Sequence, residues 1–80
     1  MDTKDILGEL NLIFRKVLKR DNIELNSETT AQDVEGWDSL TNMILVNEME
    51  KKFGVRFTFR DIVHLKNVGD MCNAIQAKMK

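Results

Sequence analysis

The sequence predicts an all-α fold: a small four-helix bundle of three main helices and one short helix, with a long loop between the first and second helices. Three segments repeat apolar residues at spacings of three and four, the period of a helix buried on one side. Polar, turn-forming stretches separate them. The only segment that alternates like a strand, Val55-Arg56-Phe57-Thr58-Phe59, has no partner strand in the rest of the chain, and a lone strand is not stable. Eighty residues hold one thin core worth a few kcal/mol of net stability, so residues 1–80 are read as a single domain, complete from Met1.

The first helix is expected from Thr3 to Leu18, with Thr3 as its cap and Ile6, Leu7, Leu10, Ile13, Phe14, Val17 and Leu18 as its buried stripe. A helix of this length is marginal alone in water, so burial of the stripe must stabilise it. From Lys19 to Trp37 the period lapses, and Asn22, Asn26, Ser27, Thr29, Thr30 and Asp33 favour turns and caps. A connection this long needs pins. Ile23, Leu25 and Val34 are expected to supply them, Thr30 with Asp33 to cap one short helical turn, and Trp37, the only tryptophan, to anchor the end of the loop.

The second helix is expected from Ser39 to Phe53, ended by a left-handed Gly54. It carries two apolar stripes. Leu45, Val46, Met49 and Phe53 share a core face, whereas Leu40, Met43 and Ile44 lie opposite, around the first turn. One stripe suffices for packing, so the second is either covered by the loop or exposed as a docking surface. Val55, Phe57 or Phe59 should then drop into the core from an extended segment, and Arg60 to Leu65 should form the short helix. Asn67, with Asp70 three residues on, caps a last helix that buries Val68, Met71, Cys72, Ile75 and Met79.

Composition excludes several functions. A net charge of −1 with no basic stripe gives no footprint for nucleic acid. The N-terminus lacks the pattern of a signal peptide, and the longest apolar run, Met43 to Val46, is too short for membrane insertion. A soluble, cytoplasmic, monomeric protein is expected. Cys72 and His64 are each the only residue of their type, so no disulfide, metal site or Cys-His nucleophile pair is expected. Cys72 is read as a small core residue.

What remains is Gly36-Trp37-Asp38-Ser39-Leu40, at the junction of loop and second helix. Asp38 is the natural N-cap, since its carboxylate can accept from unpaired N–H groups of the first turn. Ser39 then starts the helix. Its hydroxyl sits on a rigid element in the positive field of the helix N-terminus, which favours a phosphate group. Asp-Ser pairs also open many ordinary helices, so these residues by themselves leave a plain cap as the alternative.

The chain resembles the acyl carrier proteins over nearly its whole length: Gly36-Trp37-Asp38-Ser39-Leu40 matches the family's attachment motif, and the helix, loop and Asn67-Val68-Gly69-Asp70 follow in the family's order. The resemblance implies a non-catalytic carrier with 4′-phosphopantetheine on Ser39, installed from coenzyme A by a phosphopantetheinyl transferase. It also implies acyl-loading and acyl-processing enzymes as partners, fed by thioesters on the arm in fatty-acid, polyketide or other specialised biosynthesis.

The chain departs from the fatty-acid carriers in its recognition helix, which is strongly acidic in that family. Here Glu48 and Glu50 are followed by Lys51 and Lys52, with Asn42 and Ile44 near the serine. Glu35, Asp38, Glu48, Glu50 and Asp61 offer charge to a basic partner, and Leu40, Met43 and Ile44 add a larger apolar share. Two rival readings stand beside this one. A peptidyl carrier would share the serine chemistry, but that family usually shows a Gly-Gly pair where this chain has Trp37-Asp38. A helical interaction module without a prosthetic group would use Leu40, Met43 and Ile44 for binding and Ser39 only as part of a cap.

Overall fold

The first apolar stripe becomes α1, Thr3–Leu18, in a computed structural model that describes residues 2–79. Ile6, Leu10, Ile13 and Phe14 are buried along it, with Leu7, Val17 and Leu18 partly buried at its borders. Asp2 caps the helix in place of Thr3: its carboxylate accepts from the Asp5 N–H at 2.9 Å. A carboxylate brings full negative charge to the positive end of the helix, which a hydroxyl does not. Thr3 is the first helical residue. At the other end Lys19 takes a left-handed conformation, φ 56°, and both its N–H and that of Arg20 return to the Arg15 carbonyl.

Two side chains of α1 hold the long loop. The Asn11 amide oxygen accepts from the Leu25 N–H at 2.8 Å, and Arg15 Nε donates to the Ile23 carbonyl at 2.8 Å. Asn11 and Arg15 are one turn apart, so they grip alternate residues of an extended strip while Ile23 and Leu25 turn into the core. Val34 is partly buried. Thr30 and Asp33 form a single turn: the Asp33 N–H reaches the Thr30 carbonyl at 2.9 Å, and the Asp33 carboxylate accepts from the Thr30 N–H at 2.9 Å.

The second stripe becomes α2, Ser39–Phe53, which ends at left-handed Gly54, φ 65°. Leu45, Val46 and Met49 are buried against α1. Phe53, expected in the core, is only partly buried: it is the last residue of α2 and packs at the border of the core cluster. Of the following extended segment, Val55 is buried and Phe57 partly so, but Phe59 is 80% exposed. The short helix α3 is Phe59–Val63, one residue earlier at its start than Arg60 and two short of Leu65. Thr58 sets this start through a reciprocal capping box with Asp61, with bonds of 3.1 and 2.8 Å.

The last helix, α4, is Val68–Lys78 and packs on α1. Val68, Met71, Cys72 and Ile75 are buried, whereas Met79 lies past the helix end and is exposed. Asn67 caps Asp70 as expected, at 2.8 Å, but Asp70 returns to the N–H of Lys66 rather than of Asn67. No strand occurs among the described residues.

The start of α4 also receives the loop. The Val68 and Gly69 N–H groups donate to the Thr29 and Ser27 carbonyls at 2.9 and 2.8 Å, satisfying first-turn donors with loop backbone. A Cβ at Gly69 would lie 2.7 Å from the Ser27 carbonyl oxygen. Gly69→Ala should therefore push two backbones apart and cost ~1–3 kcal/mol in a urea titration. An unchanged midpoint would show that the loop yields freely.

Asp61 joins α3 to α4, since its carboxylate meets Lys78 Nζ at 2.9 Å while Lys78 also lies over the Phe57 ring at 5.6 Å. The Thr58 N–H and then Lys78 hold the Asp61 carboxyl down at about 2, against an ordinary 3.8. A depressed carboxylate pKa stabilises the folded state above the unfolded value and loses that contribution as pH falls towards the folded one. Protection of the α3 amides from hydrogen exchange, normalised for intrinsic rates, should thus fall between about pH 4 and 2. In Asp61→Asn that fall should be absent; an identical profile would assign it to other groups.

Candidate functional site at the start of the second helix

Ser39 owes its position to residues on both sides of it. Trp37, buried at the end of the loop, meets Phe14 of α1 edge-on, with ring centroids 4.8 Å apart and planes at 90°. Its indole N–H donates to the Asn42 side chain at 2.9 Å, so the last loop residue is tied both to the core and to the first turn of α2. Two residues on, the chain emerges at Ser39 with the hydroxyl exposed.

Asp38 is the cap, as the sequence suggests, and accepts from the Leu40 and Thr41 N–H groups at 3.0 and 2.9 Å. Thr41 answers it. The Thr41 hydroxyl accepts from the Asp38 N–H at 2.8 Å and donates to the Gly36 carbonyl at 2.7 Å, with Gly36 at φ 90°. These bonds, led by the Thr41 backbone N–H, hold the Asp38 carboxyl below its ordinary value. The Asp38-x-x-Thr41 spacing of a capping box was the available signal for Thr41; Asn42 had none, because its partner is an indole brought in by the fold.

The consequence for Ser39 is a rigid frame around an unengaged group. Asp38 and Thr41 consume the neighbouring donors and acceptors, and no described residue hydrogen-bonds the Ser39 hydroxyl. An exposed, partner-free hydroxyl on the first residue of a helix fits the attachment of a phosphodiester arm. Beside it lies an open groove of about 410 Å³, lined by Leu40, Met43, Ile44, Val46, Asn47, Glu50, Phe57 and Ile62. Leu40, Met43 and Ile44 are 73, 53 and 47% exposed, so this stripe is uncovered. Phe59 and Val63, one turn apart on α3, add exposed apolar surface that spacing in so short a helix did not reveal.

The acidic residues are distributed differently. Glu48 is turned towards α1, paired with Lys16 at 2.8 Å, and that contact lowers its pKa. Glu50 lines the groove, but its carboxylate accepts from the Phe57 N–H at 2.8 Å. Glu35 meets Arg20 at 3.3 Å, and Asp61 is held by Lys78. Each acid singled out in the sequence, Asp38 included, has an intramolecular partner. The structure brings Ser39, Asp38, Leu40, Met43, Ile44 and Glu50 to one side and sends Glu48 to another.

Cys72 is buried, and burial pushes its thiol pKa up, away from reactive thiolate. His64 ends α3 on the surface. Among the described residues no three His, Cys, Asp or Glu side chains are grouped to hold a metal ion, and no helix is long and apolar enough to cross a membrane.

Comparison with known proteins supplies the class. Residues 9–75 match the family described as "Phosphopantetheine attachment site". The chain belongs to this phosphopantetheine-binding family of acyl carrier proteins. It is 30% identical to an acyl carrier protein of an Exiguobacterium species over 99% of this chain and all of that one. It is 29% identical to the acyl carrier protein of Thermotoga maritima, over 95% of this chain and 94% of that one. The solution structure of the holo acyl carrier protein from Geobacter metallireducens superposes with a TM-score of 0.86, at 38% identity, covering 91% of this chain and 84% of that one. Members of the family carry acyl groups on phosphopantetheine; they do not transform them.

Proposed function

We propose that residues 1–80 form one acyl-carrier domain, a cytoplasmic monomer, in which Ser39 is the attachment point of 4′-phosphopantetheine. The observation that carries this reading is the Ser39 hydroxyl itself, exposed and without a described partner at the head of a helix in which the next three N–H groups, of Leu40, Thr41 and Asn42, are all engaged by Asp38. The arm supplies a terminal thiol that holds an acyl group as a thioester. The chain's own residues do the rest: Trp37 and Phe14 fix the loop, and Asp38 with Thr41 squares the first turn so that Ser39 stands proud of the surface for a phosphopantetheinyl transferase. Tethering raises the effective concentration of cargo at each acyl-loading or acyl-processing enzyme. The test is intact-mass spectrometry after incubation with coenzyme A, magnesium and a permissive transferase. One phosphopantetheine per chain, mapped to the peptide containing Ser39, supports the reading; modification at another residue removes it.

Leu40, Met43 and Ile44 are the docking residues of this reading, with Glu50 at the groove edge and Glu48 on the adjoining side. Exposed positions contribute little to folding, so Ile44→Glu should move stability by no more than ~0.5 kcal/mol. It should nevertheless slow transferase loading, because docking would bury an unpaired charge. A melt lowered together with a normal loading rate would place Ile44 in the fold and not in docking.

A further inference from the structure

The uncompensated charge on the groove side of α2 is more positive than its composition, which already has four bases to three acids. Between Ser39 and Val63 the acids are Glu48, Glu50 and Asp61 and the bases Lys51, Lys52, Arg56 and Arg60. The acids are committed internally: Glu48 to Lys16, Asp61 to Lys78, and Glu50 to the Phe57 N–H. Among the bases, Lys52 is drawn away to Glu9 at 3.4 Å, and Lys51 makes a longer contact to Glu48. Lys51 has a 71% exposed side chain and touches Glu48 only at 4.0 Å, while Arg56 and Arg60 are exposed with no ion pair among the described residues. Lys51 and Arg56 line a neighbouring depression that shares Asn47 and Glu50 with the groove, beyond its end away from Ser39.

Ser39 and Lys51 are twelve residues apart on one helix, or about 18 Å along its axis. A phosphodiester on Ser39 beside Asp38 makes one end of the apolar groove negative, and Lys51 with Arg56 makes the other end positive, offset in part by Glu50. We propose that the protein partners of this carrier present an apolar ridge with an acidic cluster at the end remote from the arm, so that Lys51 and Arg56 set the docking orientation. This rests on the carriage reading. The partner is a protein surface and not an anionic membrane, because the chain's net charge of −1 gives no general attraction to lipid and the apolar lining is flanked by positive charge on one side only.

The test uses the phosphopantetheine-loaded full chain, ¹⁵N-labelled, titrated with two synthetic amphipathic helical peptides of identical apolar face, one rimmed with glutamate and one with lysine. The glutamate peptide should bind roughly three- to tenfold tighter, shift the amides of Leu40, Met43, Ile44, Lys51 and Arg56, and weaken with salt. In Lys51→Glu/Arg56→Glu the preference should invert, with the circular dichroism spectrum unchanged. Equal affinities, tighter binding of the lysine peptide, no binding of either, or shifts outside this groove would overturn the proposal. So would shifts of the same residues by vesicles containing anionic lipid when neither peptide binds. Loading of Ser39, measured on the same sample by mass, reports separately on the carriage reading.

Discussion

Ser39→Ala is expected to take up no phosphopantetheine, a fall from one group per chain to none, while its thermal melt stays where it was. The two halves of this result have separate causes. Loading requires a hydroxyl that a transferase can reach, and the Ser39 hydroxyl is exposed with no described partner, so its removal takes away the acceptor and no structural bond. The nearest alternative, Thr41, accepts from the Asp38 N–H and donates to the Gly36 carbonyl, so it is not presented in the same geometry. The cap that starts α2 belongs to Asp38 and Thr41 and survives the substitution. Intact mass after transferase treatment and a circular dichroism melt give both readouts. Full loading of the variant would move the attachment elsewhere; a large drop in melting temperature would make Ser39 part of the cap.

Phe14→Ala should be the most damaging single truncation, costing ~3–5 kcal/mol, which in a domain this small approaches the total stability. Phe14 is fully buried, the largest such side chain among the described residues, and belongs to the core cluster that also holds Leu45, Val46 and Met49 of α2. Its ring also supports Trp37 edge-on at 4.8 Å, and through Trp37 the segment that presents Ser39. The effect should therefore reach the site. Denaturant titration followed by the fluorescence of Trp37, the only tryptophan, would report loss of stability together with a changed baseline from a loosened indole. A shift below 1 kcal/mol, on the scale of a surface substitution, would mean that neighbouring side chains collapse into the space. Phe53 is the natural control, because its partial burial at the end of α2 predicts a smaller loss.

Both experiments rest on features that differ in how far the chain's linear order displays them. Local chemistry was legible. The apolar period of α1 and α2 gave their bounds, Gly54 ended α2 through its left-handed backbone, and Asp38 capped the helix that starts at Ser39, because each depends on residues within one or two turns. Competition between neighbours was less legible: Asp2 and Thr3 are both good caps, and the carboxylate prevailed at the start of α1.

What only the tertiary structure decided was the use made of side chains whose partners are far away in sequence. Asn11 and Arg15 look like ordinary polar positions of an amphipathic helix until the loop backbone at Ile23 and Leu25 arrives to meet them. The acids of α2 and α3 read as charges open to a partner. Packing brought Lys16 to Glu48 and Lys78 to Asp61, and left Lys51 and Arg56 exposed in a depression adjoining the groove. Phe53 was misplaced for a related reason, and the choice among Val55, Phe57 and Phe59 fell to Val55: apolar character states a preference for burial, but only the packed fold decides which residues find a facing surface. Periodicity determined which residues form helices, capping chemistry determined where they start, and the meeting of α1 with the loop, α2 and α4 decided which of their exposed groups remain free to act.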